Sequence, residues 1–232
     1  MRQARLSAIE QQCGIHLQSE TMVKDFMLSG DFIHSVSFGQ IISEKIVEET
    51  VAVEQAALNQ PPHLTYRVKM DIRVNCQSGQ PDPSFRIQLT SNKKTFVSGE
   101  ELILTVKSTR DCYLTIVNYA ADGKVYLLMP GTLLEDNFLK AGEAMEIPNA
   151  AQRENGIHLS MATLPGSTAS SEVIQVIATR RKIDFLDELQ EEQGFGVLPN
   201  ITIAGQQLAR WLAAIPVAER AMAQMVVEVH AE

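Results

Sequence analysis

Residues 112–129 read Cys-Tyr-Leu-Thr-Ile-Val-Asn-Tyr-Ala-Ala-Asp-Gly-Lys-Val-Tyr-Leu-Leu-Met, and this stretch decides the fold of the larger part of the chain. Two β-branched and aromatic runs, Cys112 to Tyr119 and Val125 to Met129, flank Asp122-Gly123, where a glycine at positive φ closes a tight hairpin. Working outward, similar runs occur at 85–90, 102–108, 144–147, 157–162 and 173–179, with Ser98-Gly99, Pro130-Gly131 and Pro165-Gly166 as turns between them. Short strands at this spacing predict a β-sandwich. After Arg180 the apolar period becomes helical through Ile183, Phe185, Leu186 and Leu189, runs into the acidic stretch Glu188 to Glu192, and breaks at Gly194 and Gly196. A second helix is expected over 203–215, so helices occupy parts of 183–215, and a strand near 225–230 returns to the sandwich.

The first third reads differently. Ala4, Leu6, Ala8, Ile9 and Cys13 recur at helical spacing and stop at Gly14, which predicts a helix over 2–13. From Ile15 the period changes to two, as a half-buried strand requires, and 25–39 reads as an irregular loop with a short helix. Residues 41–53 predict a bulged strand. Residues 64–74 predict a second one, with Leu64, Tyr66, Val68, Met70, Ile72 and Val74 on one face, and Asn59-Gln60-Pro61-Pro62 marks the hairpin end between the two. The stretch Gln77 to Ser84 is polar and rich in turn formers, which marks a domain boundary. The expected architecture is therefore α+β: a helix on an antiparallel sheet over 1–76, a linker over 77–84, and a β-sandwich with C-terminal helices over 85–232.

Composition narrows the partners. The chain has 232 residues, 45% of them hydrophobic, and a formal net charge of −8, which excludes disorder, collagen and coiled coil as the main architecture. No apolar stretch approaches the roughly 18 to 20 residues that cross a bilayer. The acidic balance and the lack of a Lys/Arg cluster argue against nucleic acid. The chain opens directly into a helical pattern, with no leader-like apolar region, which leaves either a cytoplasmic protein or one whose leader and possible lipid anchor lie outside this sequence.

No residue stands out as catalytic, cofactor-binding or metal-binding. Cys13, Cys76 and Cys112 are too few and too scattered for a disulfide framework or a structural zinc site, and at least one is unpaired within the monomer. Their redox state is left open. Cys13 and His16 are the nearest Cys and His pair, but one ends a helix, the other begins a strand, and no third group orients the imidazole. His16, His34, His63, His158 and His230 are widely separated and form no metal-ligand spacing. Asp187, Glu188, Glu191 and Glu192 read as a solvated helix face, Trp211 as a core anchor, and Cys112 as a small buried hydrophobe. Nucleotide-binding and hydrolase glycine motifs are missing.

Resemblance adds what spacing does not. Tyr113 to Asn118, Ala121 to Pro130, Asn137 to Glu143, Ile147-Pro148, Leu164-Pro165-Gly166 and Glu172 to Thr179 together resemble a bacterial domain family of unknown function, over residues 85 to about 230. That resemblance implies a β-sandwich module found in envelope lipoproteins and appended to peptidases and kinases, without catalytic residues of its own. Ala4 to Ala8, Gln12 to Ile15, Ser19 to Thr21, Ser37 to Ile41 and Tyr66 to Val74 make the first domain similar to the N-terminal α+β domain of outer-membrane lipoproteins and flagellar assembly proteins. Together the two imply an exported, non-enzymatic envelope protein, periplasmic or outer-membrane associated, that binds protein partners. In such a compartment Cys13 and Cys112, as free thiols, would be under oxidative pressure. The competing expectations are a cytoplasmic location and a small-ligand receptor or enzyme with its site between the domains. Limited proteolysis is expected to cut first within 77–84; earlier cleavage within 110–130 would remove the boundary.

Overall fold

In the computed structural model, which describes residues 2–13, 39–54, 63–76, 79–183, 190–192, 194–198 and 201–231, the quoted stretch forms two central strands of the largest sheet. In chain order the elements are α1 (Arg2–Cys13), β1 (Gly39–Glu54), β2 (His63–Cys76), β3 (Ile87–Ser91), β4 (Thr95–Val97), β5 (Leu104–Ser108), β6 (Cys112–Tyr119), β7 (Val125–Met129), β8 (Phe138–Leu139), β9 (Ala144–Ile147), α2 (Ala150–Glu154), β10 (Ala169–Thr179), β11 (Gln190–Glu192), β12 (Phe195–Leu198), α3 (Ile201–Ala213) and β13 (Arg220–His230). Residues 217–219 form one 3-10 turn before β13.

Among the described residues three sheets result. The large one runs β11-β12-β7-β6-β10-β13-β4, with β8 beside β6; the second is β3-β5-β9; the third is the β1-β2 hairpin. Pairing is antiparallel throughout except between β13 and β4, which run parallel over Glu228–His230. The second sheet packs face to face on the large one, where Leu104, Val106 and Ile147 meet Leu114, Ile116, Ile174 and Val176. On the opposite face Val117, Tyr119, Val173 and Ile177 pack under Leu208, Trp211 and Leu212 of α3. Apolar residues on both sides of β6 and β10 demand cover on both sides, and two sheets plus one helix supply it.

The α+β expectation is overturned: the described residues are mostly strand, in several sheets, with three helices of 12, 5 and 13 residues. Much of the correction lies in Gln190–Glu192 and Phe195–Leu198. Gln190–Glu192 is a strand, not the end of a helix, and it pairs with Phe195–Leu198, which in turn extends the large sheet from β7. Pairing along an exposed strand outweighs a weak local helical period. Gly194 sits between them at φ 82°, where an added Cβ would come within 2.7 Å of the Leu133 side chain. Of the expected C-terminal helices the described residues hold Ile201–Ala213; residues 184–189 of the other lie outside them.

Other strands fall close to expectation: β6, β7 and β9 coincide with it, and β13 begins earlier. The expected strand 157–162 is reduced to one bridge, Glu101 to Ser160, while β4, β8 and α2 were not anticipated. In the first third, β1 and β2 pair over their whole length with bulges at Ile41/Ser43 and Ile46/Glu48. The strand from Ile15, the loop 25–39, the turn 59–62 and residues 77–78 of the boundary lie outside the described residues.

Gly123 stands at φ 83° in the β6–β7 turn, where Asp122 accepts from the Lys124 N–H at 2.9 Å. An L side chain there is strained whatever the space around it, so Gly123→Val is expected to cost about 1 kcal/mol or more. Urea denaturation followed by circular dichroism measures it. An unchanged midpoint would contradict the turn geometry.

Candidate functional site

Three features of the fold combine unusual chemistry with access. The first joins the ends of the N-terminal elements. Cys13 closes α1, Cys76 closes β2, and a disulfide links them, with Cα atoms 5.4 Å apart. The reading of Cys13 as a free thiol is thereby corrected. The physical reason is that α1 lies along β1 and β2, so residues 63 apart in sequence finish at the same end of the unit. Arg5 and Glu44 form an ion pair with Nε to Oε2 at 2.6 Å, which holds the Glu44 carboxyl below its usual range through that hydrogen bond.

Several large apolar residues of the hairpin are exposed among the described residues. Val51 faces Tyr66 and Val53 faces Leu64 across the strands, so all four side chains share one face. They are between 56% and 73% exposed. Continuous exposed apolar surface of this kind marks interaction sites more often than scattered single residues do.

The second feature is a groove of about 320 Å³ between Phe85, Arg86 and Ile87 on one wall and Val217, Arg220 and Met222 on the other. Arg220 is 4% exposed and donates from Nη1 to the Leu212 carbonyl at 2.6 Å. Burial pushes its pKa down to about 10, so it keeps its charge at neutral pH. Nearby, Arg180 pairs with Asp82 and lies over the Phe85 ring at 5.7 Å, while Ser84 donates to Asp82 from Oγ at 2.7 Å. These bonds hold the Asp82 carboxyl low, the Ser84 hydrogen bonds most. They also tie the segment 82–84 to Arg180, just past β10.

The third is a buried polar pair on each face of the β6–β10 pairing. Tyr119 donates to Gln175 Oε1 at 2.7 Å beneath α3, and Asn118 donates to Glu172 at 2.7 Å on the other side. Burial raises the Glu172 carboxyl above its usual range, against the hydrogen bonds from Asn118 and the Ala121 backbone.

The residues weighed from the sequence are dispersed. Cys112 is buried in β6, with its thiol pushed up by that burial; Trp211 packs in the layer under α3; His158 meets Glu101 at 2.8 Å on the surface; and His230 ends β13. His63 opens β2. His16, His34, Asp187 and Glu188 lie outside the described residues, and Glu191 and Glu192 fall in β11. Among the described residues no three His, Cys, Asp or Glu gather as metal ligands, and no helix is long and apolar enough to cross a membrane. Sequence reasoning passed over the Cys13–Cys76 bridge, Arg220 and Glu172. Only the bridge left a signal, in that both cysteines end elements of the same unit.

The described residues thus define a mostly β chain built from a disulfide-clasped hairpin unit and two packed sheets. A family model described as "Domain of unknown function (DUF4384)" matches residues 95–182, from β4 to just past β10. No curated protein matches the chain.

Glu172 generates a test with a definite sign. Its folded pKa is raised, so the unfolded chain ionises first, and stability falls as pH rises from the unfolded value near 4.3 through the folded one. Glu172→Gln keeps the Asn118 hydrogen bond and removes that decline. The variant is expected to be the more stable protein at pH 7, with the difference vanishing below about pH 4 in urea titrations across pH. A difference that persists in acid would assign the effect to packing.

Proposed function

We propose that this protein is a non-enzymatic module of the bacterial cell envelope that binds other proteins as an accessory of a surface assembly. The observation that carries the reading is the Cys13–Cys76 disulfide. Bridges of this kind persist in oxidising compartments, whereas cytosolic thiols stay reduced. The bare apolar pairs Val51/Tyr66 and Val53/Leu64 support a protein partner, because a large apolar surface gains most by being covered by another such surface. The resemblance of residues 1–76 to envelope lipoproteins and flagellar assembly proteins points the same way. In this proposal the two units divide near 77–84 and work as one adaptor, with the hairpin reaching the partner and the packed sheets holding it in place.

Acid-quenched thiol trapping in the natural cell tests the compartment, and a photoreactive residue at Val53 or Leu64 tests the partner. Cys13 and Cys76 are expected to resist alkylation until reduced, and both probes to capture envelope proteins. Full alkylation of the two cysteines without reduction, or cross-links to soluble cytosolic proteins alone, would overturn the proposal. Loss of biological activity in a stably folded His158→Ala protein would point instead to chemistry.

A further inference from the structure

β13, one of the two longest strands of the large sheet, is partly unpaired on one side among the described residues. On one side β10 matches it along its whole length, from Thr179↔Arg220 to Ala169↔His230, without a register shift. On the other side β4 pairs only with Glu228–His230. The direction of its backbone groups follows from three hydrogen bonds. The Ala231 N–H donates to the Thr168 carbonyl at 2.9 Å, on the β10 side. The Glu228 N–H donates to Lys94 at 3.0 Å and the His230 carbonyl accepts from Ser98 at 2.9 Å, both on the β4 side. In an unbroken antiparallel pairing the two sides alternate, so Met222, Gln224 and Val226 also turn their N–H and C=O groups away from β10. Among the described residues no strand pairs with these three on that side.

The groove described above opens at the same place. Met222 and Arg220 line one side of it and Phe85, Arg86 and Ile87 the other. Gln224 is exposed and Met222 and Val226 are half-buried, and β3, which comes close to β13, makes no strand pairing with it among the described residues. We infer that this free edge of β13, from Met222 to Val226, is a docking site for an extended segment of a partner protein, which adds to the large sheet end to end with β4. The inference rests on the reading of the chain as a protein-binding module and names one site through which it binds.

Backbone chemistry selects the occupant. Donors and acceptors alternate along the edge at about 6.8 Å, the repeat of two residues in an extended chain, and another β-strand matches that row. Side chains of the added strand enter the groove, where the walls are apolar apart from Arg86 and Arg220. Arg86 is exposed on that wall, so the segment carries an acidic residue among apolar ones. A second copy of this chain fits poorly. Two β13 strands paired about Gln224 would drive the β4 of each copy into the 217–219 turn of its neighbour, a clash that the facing of Glu228 and Arg220 does not remove.

The test uses the full chain and a short acetylated peptide that alternates valine with threonine and carries one glutamate. Amide exchange is followed by NMR with the peptide, with the same peptide N-methylated at alternate residues, and with its lysine analogue. Saturating peptide at about ten times its Kd is expected to slow exchange at Met222, Gln224 and Val226 about tenfold. Ala223 and Met225, which face β10, should be unchanged. N-methylation should abolish the effect, and Arg86→Glu, a change on an exposed side chain, should weaken binding up to about fivefold and favour the lysine analogue. No protection by millimolar peptide, equal protection by the N-methylated form, or protection that rises with protein concentration alone alongside a doubled sedimenting mass would each overturn the inference. Cross-linking of envelope proteins at Val53 with a silent β13 edge would remove this site and leave the proposed function standing.

Discussion

Burial of β10 on both faces is the constraint from which the rest of the structure follows. Every residue from Glu172 to Thr179 is 9% exposed or less, and Val173, Ile174, Val176, Ile177 and Ala178 are all apolar. Fully burying a valine or isoleucine gains about 1.5–3 kcal/mol, so these side chains outweigh the one orphaned amide group of Gln175, which costs about 1–3 kcal/mol. A strand that is apolar on both sides cannot stand at the surface of an open sheet. It takes the second sheet on one face and α3 on the other, and this places β6 and β13 as its neighbours.

Polar groups in that layer follow the same logic at smaller scale. Tyr119 and Gln175 satisfy one another beneath α3, and burial holds the tyrosine hydroxyl protonated well beyond the ordinary range. Arg220 begins the adjacent strand and caps α3 by bonding Leu212, so one buried cation meets the carbonyl end of the helix where its dipole favours positive charge. The same arginine lines the groove, and the covering helix and the groove wall therefore share a single residue.

The central hairpin was legible because Asp122-Gly123 separates two runs whose residues are strongly β-forming, and neither depends on distant partners. Cis peptide bonds at Met129-Pro130 and Ile147-Pro148 coincide with the Pro residues that carried the family resemblance. The strands β4, β8 and β11 have two or three residues each and exist only because a neighbour offers backbone groups, which no local pattern records. The helical reading failed at Gln190–Glu192 for the same reason: β7 had a free side, and β12 with β11 took it. The groove was invisible because its walls, Phe85–Ile87 and Val217–Met222, are far apart in sequence, and Glu172 read as one more polar strand residue. Cys13 and Cys76 showed their positions but not their meeting, since the packing of α1 on β2 decides it.

The disulfide also redraws the path along which the chain bears tension. A pull between the ends of the molecule reaches Cys13 and crosses directly to Cys76, 63 positions on, so residues 14–75 carry no load. Fully extended, that stretch would lengthen the chain by roughly 210 Å, and the bridge withholds all of it. The β1–β2 hairpin can therefore grip something outside the line of force while the packed sheets are pulled. In a structure under shear, the clasped unit behaves as a side arm and not as a link of the tether.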